Sequence, residues 1–220
     1  MIRIKLISEN EEHKVLIPQK PNEITLKQMA LYLDAVENSP EWFRSIKDIR
    51  EVSDIDKMRF VLECSKILEK VLDAPFTKAI EVTTGKEKDG LVQTILYLQG
   101  VVRNAIEYTP KKRKNFTHNG IEYYLKYRSK DILGFDQNPK FTLHEMILLL
   151  ATKDRYELLE KTKANFYNKV RTLLAFTARK RGEVLPTSEK QIEDYTKARV
   201  KEFENISLDV GLDFWFFFVK

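Results

Sequence analysis

Five consecutive aromatic residues, Phe214, Trp215, Phe216, Phe217 and Phe218, stand beside the terminal Val219-Lys220. Each ring of this kind buries roughly 150–250 Å² when it leaves water, so a fold that exposes all five is strongly disfavoured. The run therefore docks into its own domain or into a partner. Five in a row exceed one face of a helix or strand, which favours a surface shared with another chain. The competing reading is a terminal core helix.

The rest of the chain is rich in charge and poor in turn formers. Seven glycines and seven prolines among 220 residues argue for long helices with few tight turns, and 43% hydrophobic with 32% charged residues fits an ordinary globular protein. A net charge of +5, from 38 basic and 33 acidic side chains, is compatible with a place near DNA or an acidic partner. It falls short of a nucleic-acid binder's imbalance. The single cysteine, Cys64, excludes an internal disulfide and most cysteine-based zinc sites. It sits in an amphipathic helical stretch and reads as a buried structural thiol made in a reducing cytosol. The longest apolar runs, residues 146–151 and 214–219, are far shorter than the ~20 residues of a membrane span, and no membrane partner is expected. The start alternates like a strand and lacks the apolar segment of a signal peptide.

Periodicity divides the chain. Ile2, Ile4 and Leu6 alternate with Arg3 and Lys5, and residues 13–17 read as a second strand completing a hairpin. Thr25 precedes a helix with Leu26, Met29, Ala30, Leu33 and Val36 on one side. Pro40 opens another, with Trp42, Phe43 and Ile46 inward. Ser53 or Asp54 caps a long helix to about Asp73, with Ile55, Met58, Val61, Leu62, Ile67, Leu68, Val71 and Leu72 as its apolar set. Residues 76–82 are a short strand or extended connection, and 85–90 a polar loop and helix start. A strongly apolar helix follows over 91–108, where Gly100 invites a close crossing.

The middle changes character. Lys111, Lys112, Arg113 and Lys114 form a basic run, and Asn119-Gly120 between short apolar segments signals a two-residue hairpin turn. A basic, tyrosine-rich ribbon therefore interrupts the helices and is the candidate for a projecting arm or a sub-domain boundary. Lys111, Lys112, Arg113, Lys114, Tyr123, Tyr124, Lys126 and Arg128 are the candidates for contact with DNA or a neighbouring subunit, because cations interleaved with aromatics hold phosphates and stack on bases. The plainer reading is a solvated hairpin. Helices return with a capping-box spacing at Thr142 and Glu145, then a stretch over 154–180 closed by Arg179-Lys180-Arg181 and Gly182. Thr187 or Ser188 caps the next helix, to about Phe203, and residues 205–210 lead into the aromatic end.

No local pattern spells out catalysis. Phosphate-binding glycine loops are missing, and His13, His118 and His144 lie far apart, with His144-Glu145 lacking a second metal-ligand histidine. The carboxylates are scattered among lysines like solvated helix faces. The expectation is no enzyme, with no catalytic, cofactor-binding or metal residues.

The segment Ile17-Pro18-Gln19-Lys20-Pro21-Asn22-Glu23-Ile24-Thr25-Leu26-Lys27-Gln28, after a β-hairpin, resembles a group of tailed-bacteriophage proteins encoded among tail, neck and tail-assembly genes. Phe141-Thr142-Leu143-His144-Glu145, the segment Arg179-Lys180-Arg181-Gly182-Glu183-Val184-Leu185-Pro186 and the aromatic end continue that resemblance in order. The resemblance implies a virion component: a ring or adaptor subunit of the head–tail connector or tail, built by self-association beside portal, neck and tail proteins. Passing DNA would be contacted weakly. The alternatives are a non-virion tail-assembly chaperone and a nucleic-acid-binding accessory protein. A ring subunit needs two different adhesive surfaces, and Ile2, Ile4 and Leu6 of the hairpin together with residues 214–218 are the candidates.

The expected fold is mainly α, α+β in detail. A multi-helix, bundle-like body carries a small N-terminal β-hairpin and a mid-chain β-hairpin. Its regions are 1–110, 111–130 and 131–220, within one compact domain.

Overall fold

The computed structural model describes residues 1–8, 11–111, 113–125 and 163–219. Lys112, Lys126 and Arg128, the Thr142–Glu145 capping box, His144 and the start of the helix expected at 154 lie outside the described residues, as do the side chains of Ile2 and Phe218. The fold is mainly α, with two small antiparallel sheets among the described residues. The chain divides into two compact units, Met1–Ile24 with Gln28–Tyr108, and Thr25–Lys27 with Thr109–Lys220.

The first unit opens on the expected hairpin, β1 (Ile2–Ser8) and β2 (Glu11–Ile17), in a register that sets Ile4 opposite Val15 and Leu6 opposite His13. Strand alternation sends Leu6, Val15 and Ile17 into the core and leaves Arg3, Lys5, Ile7, Glu12, Lys14 and Leu16 outside. Helix α1 (Leu26–Glu37) follows, and then the single-turn α2 (Glu41–Ser45). In α2 only Phe43 is buried, stacked on Phe60 at 4.8 Å, while Trp42 is exposed instead of inward. Five residues make too short a helix to bury two faces.

Helix α3 (Asp54–Leu72) is capped by the Ser53 hydroxyl, which accepts from the Asp56 amide, and ends on Asp73 at φ 51°. Its buried stripe is Val61, Cys64, Ser65, Ile67, Leu68 and Val71, the 3.6-residue period of an inward face. Ile55 and Met58, assigned to that stripe by pattern, are exposed in the first turns. Residues expected as a strand or connection form α4 (Phe76–Val82). Phe76, Ala79 and Ile80 are all buried at i, i+3 and i+4, and the Glu69 carboxylate accepts from the Thr77 amide at 3.1 Å. Helix α5 (Gly85–Ala105) starts a turn and a half earlier than its apolar pattern and buries Ile95, Leu98, Val102 and Ala105. Among the described residues nothing lies within 4 Å of a Cβ built on Gly100, so none of them uses it for a close helix crossing. Helix α3 packs on α4 and α5, with β1 on α4 and β2 on α3.

In the second unit the mid-chain hairpin is not an arm. Strands β3 (Asn115–His118) and β4 (Ile121–Leu125) join β5 (Ala178–Lys180) in a three-stranded sheet of order β3-β4-β5. Asn119 at φ 50° and Gly120 at φ 75° make the turn its dipeptide predicts. Helix α6 (Lys163–Thr177) stops three residues short of the expected end, because Ala178 and Lys180 pair with Leu125 and Tyr123 of β4. Helix α7 (Glu189–Glu202) begins with a full capping box between Ser188 and Gln191. The aromatic run belongs to α8 (Leu208–Val219). Thr25 bridges to Ser207, and the Leu26 amide donates to the Ile206 carbonyl at 3.0 Å.

Candidate functional site

The β3–β4 turn sets Phe116 opposite Tyr123, on the buried face of the sheet, where their rings stack at 5.2 Å. Phe203, just past α7, packs edge-on against both, and His118 stacks on its ring at 5.5 Å. Arg199 and Glu202, one turn apart on α7, enter this aromatic setting. The Arg199 guanidinium is buried, 4.9 Å from the Phe203 ring centre and 5.2 Å from that of Tyr123. Its Nε donates to the Ala175 carbonyl at 3.1 Å and its Nη2 to that of Ala178 at 2.6 Å. Nη1 reaches Glu202 at 2.8 Å and Glu183 at 3.8 Å.

Glu202 gathers the other strands. Lys180 of β5 lies 2.7 Å from its Oε1, and the Tyr123 hydroxyl donates to the same oxygen. Burial alone would raise the Glu202 pKa, but the donors Lys180, Tyr123 and Arg199 outweigh it and hold the carboxyl at about 2. Burial, then the neighbouring Glu202, pushes the Tyr123 phenol upward. Glu183 accepts from the Lys180 amide at 3.1 Å and from the Tyr195 hydroxyl at 3.1 Å. Burial raises Tyr195 to about 12. These shifts move Glu202, Tyr123 and Tyr195 away from neutral pH, where a general acid or base must be poised. The cluster binds sheet to helix.

A second ionic centre joins two segments singled out by sequence. Arg113 of the basic run donates through Nε to Asp213 of α8 at 2.9 Å and reaches Asp209 at 3.4 Å. The Lys111 amide donates to the other Asp213 oxygen at 2.6 Å. Asp213 is completely buried.

The candidate contact residues are therefore redistributed. Tyr123 is fully buried and cannot be a surface contact; strand alternation turns Tyr124 outward instead. Arg113 is spent on Asp213 and Asp209, whereas Lys111 and Lys114 are exposed. Phe214 and Phe217 occupy the chain's own interior, because helical spacing sets them on the inward face with Val210. Trp215 and Phe216 are half-buried, and Trp215 meets Phe166 edge-on at 5.2 Å. Leu6 is buried and Ile4 half-buried, so the hairpin's outward apolar residues are Ile7 and Leu16.

Sequence reasoning missed Arg199, Glu202 and Asp213. The first two look like an ordinary helix-surface ion pair. Asp213 did carry a signal: an acid set between Leu212 and Phe214 in an apolar and aromatic helix needs a cation. Among the described residues no group of three or more His, Cys, Asp or Glu side chains is placed to hold a metal, and no helix is long and apolar enough to cross a membrane. Comparison with family models, with curated proteins and with solved structures gives no match to this chain.

Proposed function

We propose that this chain is a structural subunit of a tailed-bacteriophage virion, a ring or adaptor subunit of the head–tail connector or tail that assembles by self-association. The observation that carries the reading is the N-terminal hairpin. Among the described residues β1 and β2 pair only with each other, which leaves two outer strand edges able to accept a neighbour's strand. On its outward face Ile7 is 58% and Leu16 51% exposed. Exposed apolar side chains beside open strand edges suit the addition of a neighbour's strand. Trp215 and Phe216 of α8 belong to the second, different surface that a closed ring requires. Portal, neck and tail proteins are the expected neighbours, and the assembled virion is the expected location.

A tail-assembly chaperone is the second reading. It draws on a groove of about 490 Å³ whose apolar lining includes Met58, Val61, Val92 and Leu96, suited to hold an apolar segment of another protein. The nucleic-acid reading is weakened by the loss of Arg113 to its carboxylates. Replacing Ile7 and Leu16 together by Glu tests the leading reading, since both are exposed and the monomer is expected to fold. The variant is expected to lose self-association and to be missing from purified particles. Assembly at the wild-type level would sink the proposal.

A further inference from the structure

A groove of about 390 Å³ in the second unit is lined by Arg171 of α6 together with Thr196, Lys197, Val200 and Lys201 of α7 and Glu204. Arg171 is half-buried, and its Nε is shielded from solvent with no hydrogen-bond partner among the described residues. A shielded guanidinium donor left unpaired is unfavourable, and native folds nearly always place an acceptor there. Glu204 does not fill that role: its carboxylate is engaged by Lys27. Lys197 is paired with Glu193 at 2.6 Å. With these partners counted, the groove and its rim hold four cations against two carboxylates. Burial shifts the Arg171 equilibrium away from its charged form, and the charge of Glu204 opposes that. A bound anion would oppose it further.

We propose that this groove binds a phosphate oxyanion: the Arg171 guanidinium, whose shielded Nε–H has no partner among the described residues, turns toward the anion to donate, with Lys201 as a second cation and the Thr196 hydroxyl as a neutral donor. Donors arriving from two helices suit a tetrahedral group better than the two coplanar oxygens of a carboxylate. The same chemistry is offered by free phosphate and by a nucleic-acid backbone, and the site is independent of the hairpin that carries the proposed assembly.

The test is thermal unfolding of the full-length protein with inorganic phosphate at constant ionic strength, beside direct binding of a short DNA duplex across a salt series. Wild type is expected to gain roughly 5 °C in Tm at phosphate a hundredfold above its Kd. Arg171→Gln is expected to abolish the gain. Lys201→Gln changes an exposed side chain, keeps the fold, and is expected to weaken binding about tenfold, the loss of roughly one charge-assisted hydrogen bond. A response to phosphate alone identifies free phosphate as the source; duplex binding that Arg171→Gln and Lys201→Gln both weaken identifies the backbone. No response to either probe, or equal responses in wild type and both variants, overturns the site.

Discussion

Arg113 and Asp213, one hundred residues apart, meet at 2.9 Å with the carboxylate fully buried. This contact fastens the basic run to the aromatic helix. It also explains how a charge survives inside α8: Asp213 receives the guanidinium on one oxygen and the Lys111 amide on the other. Removing the guanidinium takes a charged donor from a buried carboxylate. Arg113→Ala should therefore lower unfolding stability by about 2 kcal/mol, the scale of a hydrogen bond to a charged group. Replacing both residues with Leu should recover part of that loss. A double-mutant cycle in denaturant is the check, and purely additive effects would count against the coupling.

Glu202 makes a prediction in pH. Its folded-state pKa, about 2, lies below the ordinary 4.5, so its contribution is complete above about 4.5 and is lost as pH falls toward 2. Denaturant midpoints should fall through that acid window. Glu202→Gln should flatten this limb and cost roughly 3 kcal/mol at neutral pH, because Arg199 then loses its close carboxylate in a buried setting. An unchanged acid limb in the variant would contradict the assignment.

Cys64 is buried on α3, and burial pushes its thiol up to about 12. A thiolate-seeking reagent such as Ellman's should leave the native protein unlabelled and modify one thiol after denaturation. Rapid labelling of the native protein would show that α3 does not hold its inward face as described.

Gly211 lies against Leu26. A Cβ there would stand 2.5 Å from one Leu26 methyl carbon and 2.8 Å from its Cγ, inside the core. Gly211→Ala gains helix propensity but overpacks this site, and a net loss of about 1–2 kcal/mol is expected. Trimming Leu26 to Val in the same background should restore part of it. Calorimetric Tm values for the four combinations decide the point.

Much of the fold was legible in local patterns. Alternation at residues 2–6 specified the first strand, Asn119-Gly120 the second hairpin, and the spacing of Val61, Ile67, Leu68 and Val71 the inward face of α3. Two kinds of element were not. Residues 76–82 are too short for a periodic signal, and their helix rests on tertiary burial of Phe76, Ala79 and Ile80. Ala178–Lys180 continue a helical pattern yet pair with β4, since completing the sheet outweighs local propensity. The ionic clusters were hidden for a related reason. Arg199 with Glu202, and Arg113 with Asp213, acquire meaning only once distant elements converge. The aromatic run gave its density but not its phase: helical geometry divides it into an inward pair, Phe214 and Phe217, and the half-buried Trp215 and Phe216.

The most direct test of the proposed role is the mass of the full-length protein in solution, by light scattering across a wide concentration range. A subunit that closes rings through its hairpin should reach a discrete mass at a high multiple of 25.9 kDa, and Ile7→Glu with Leu16→Glu should return it to the monomer. A wild-type protein that stays at 25.9 kDa at every concentration contradicts self-association.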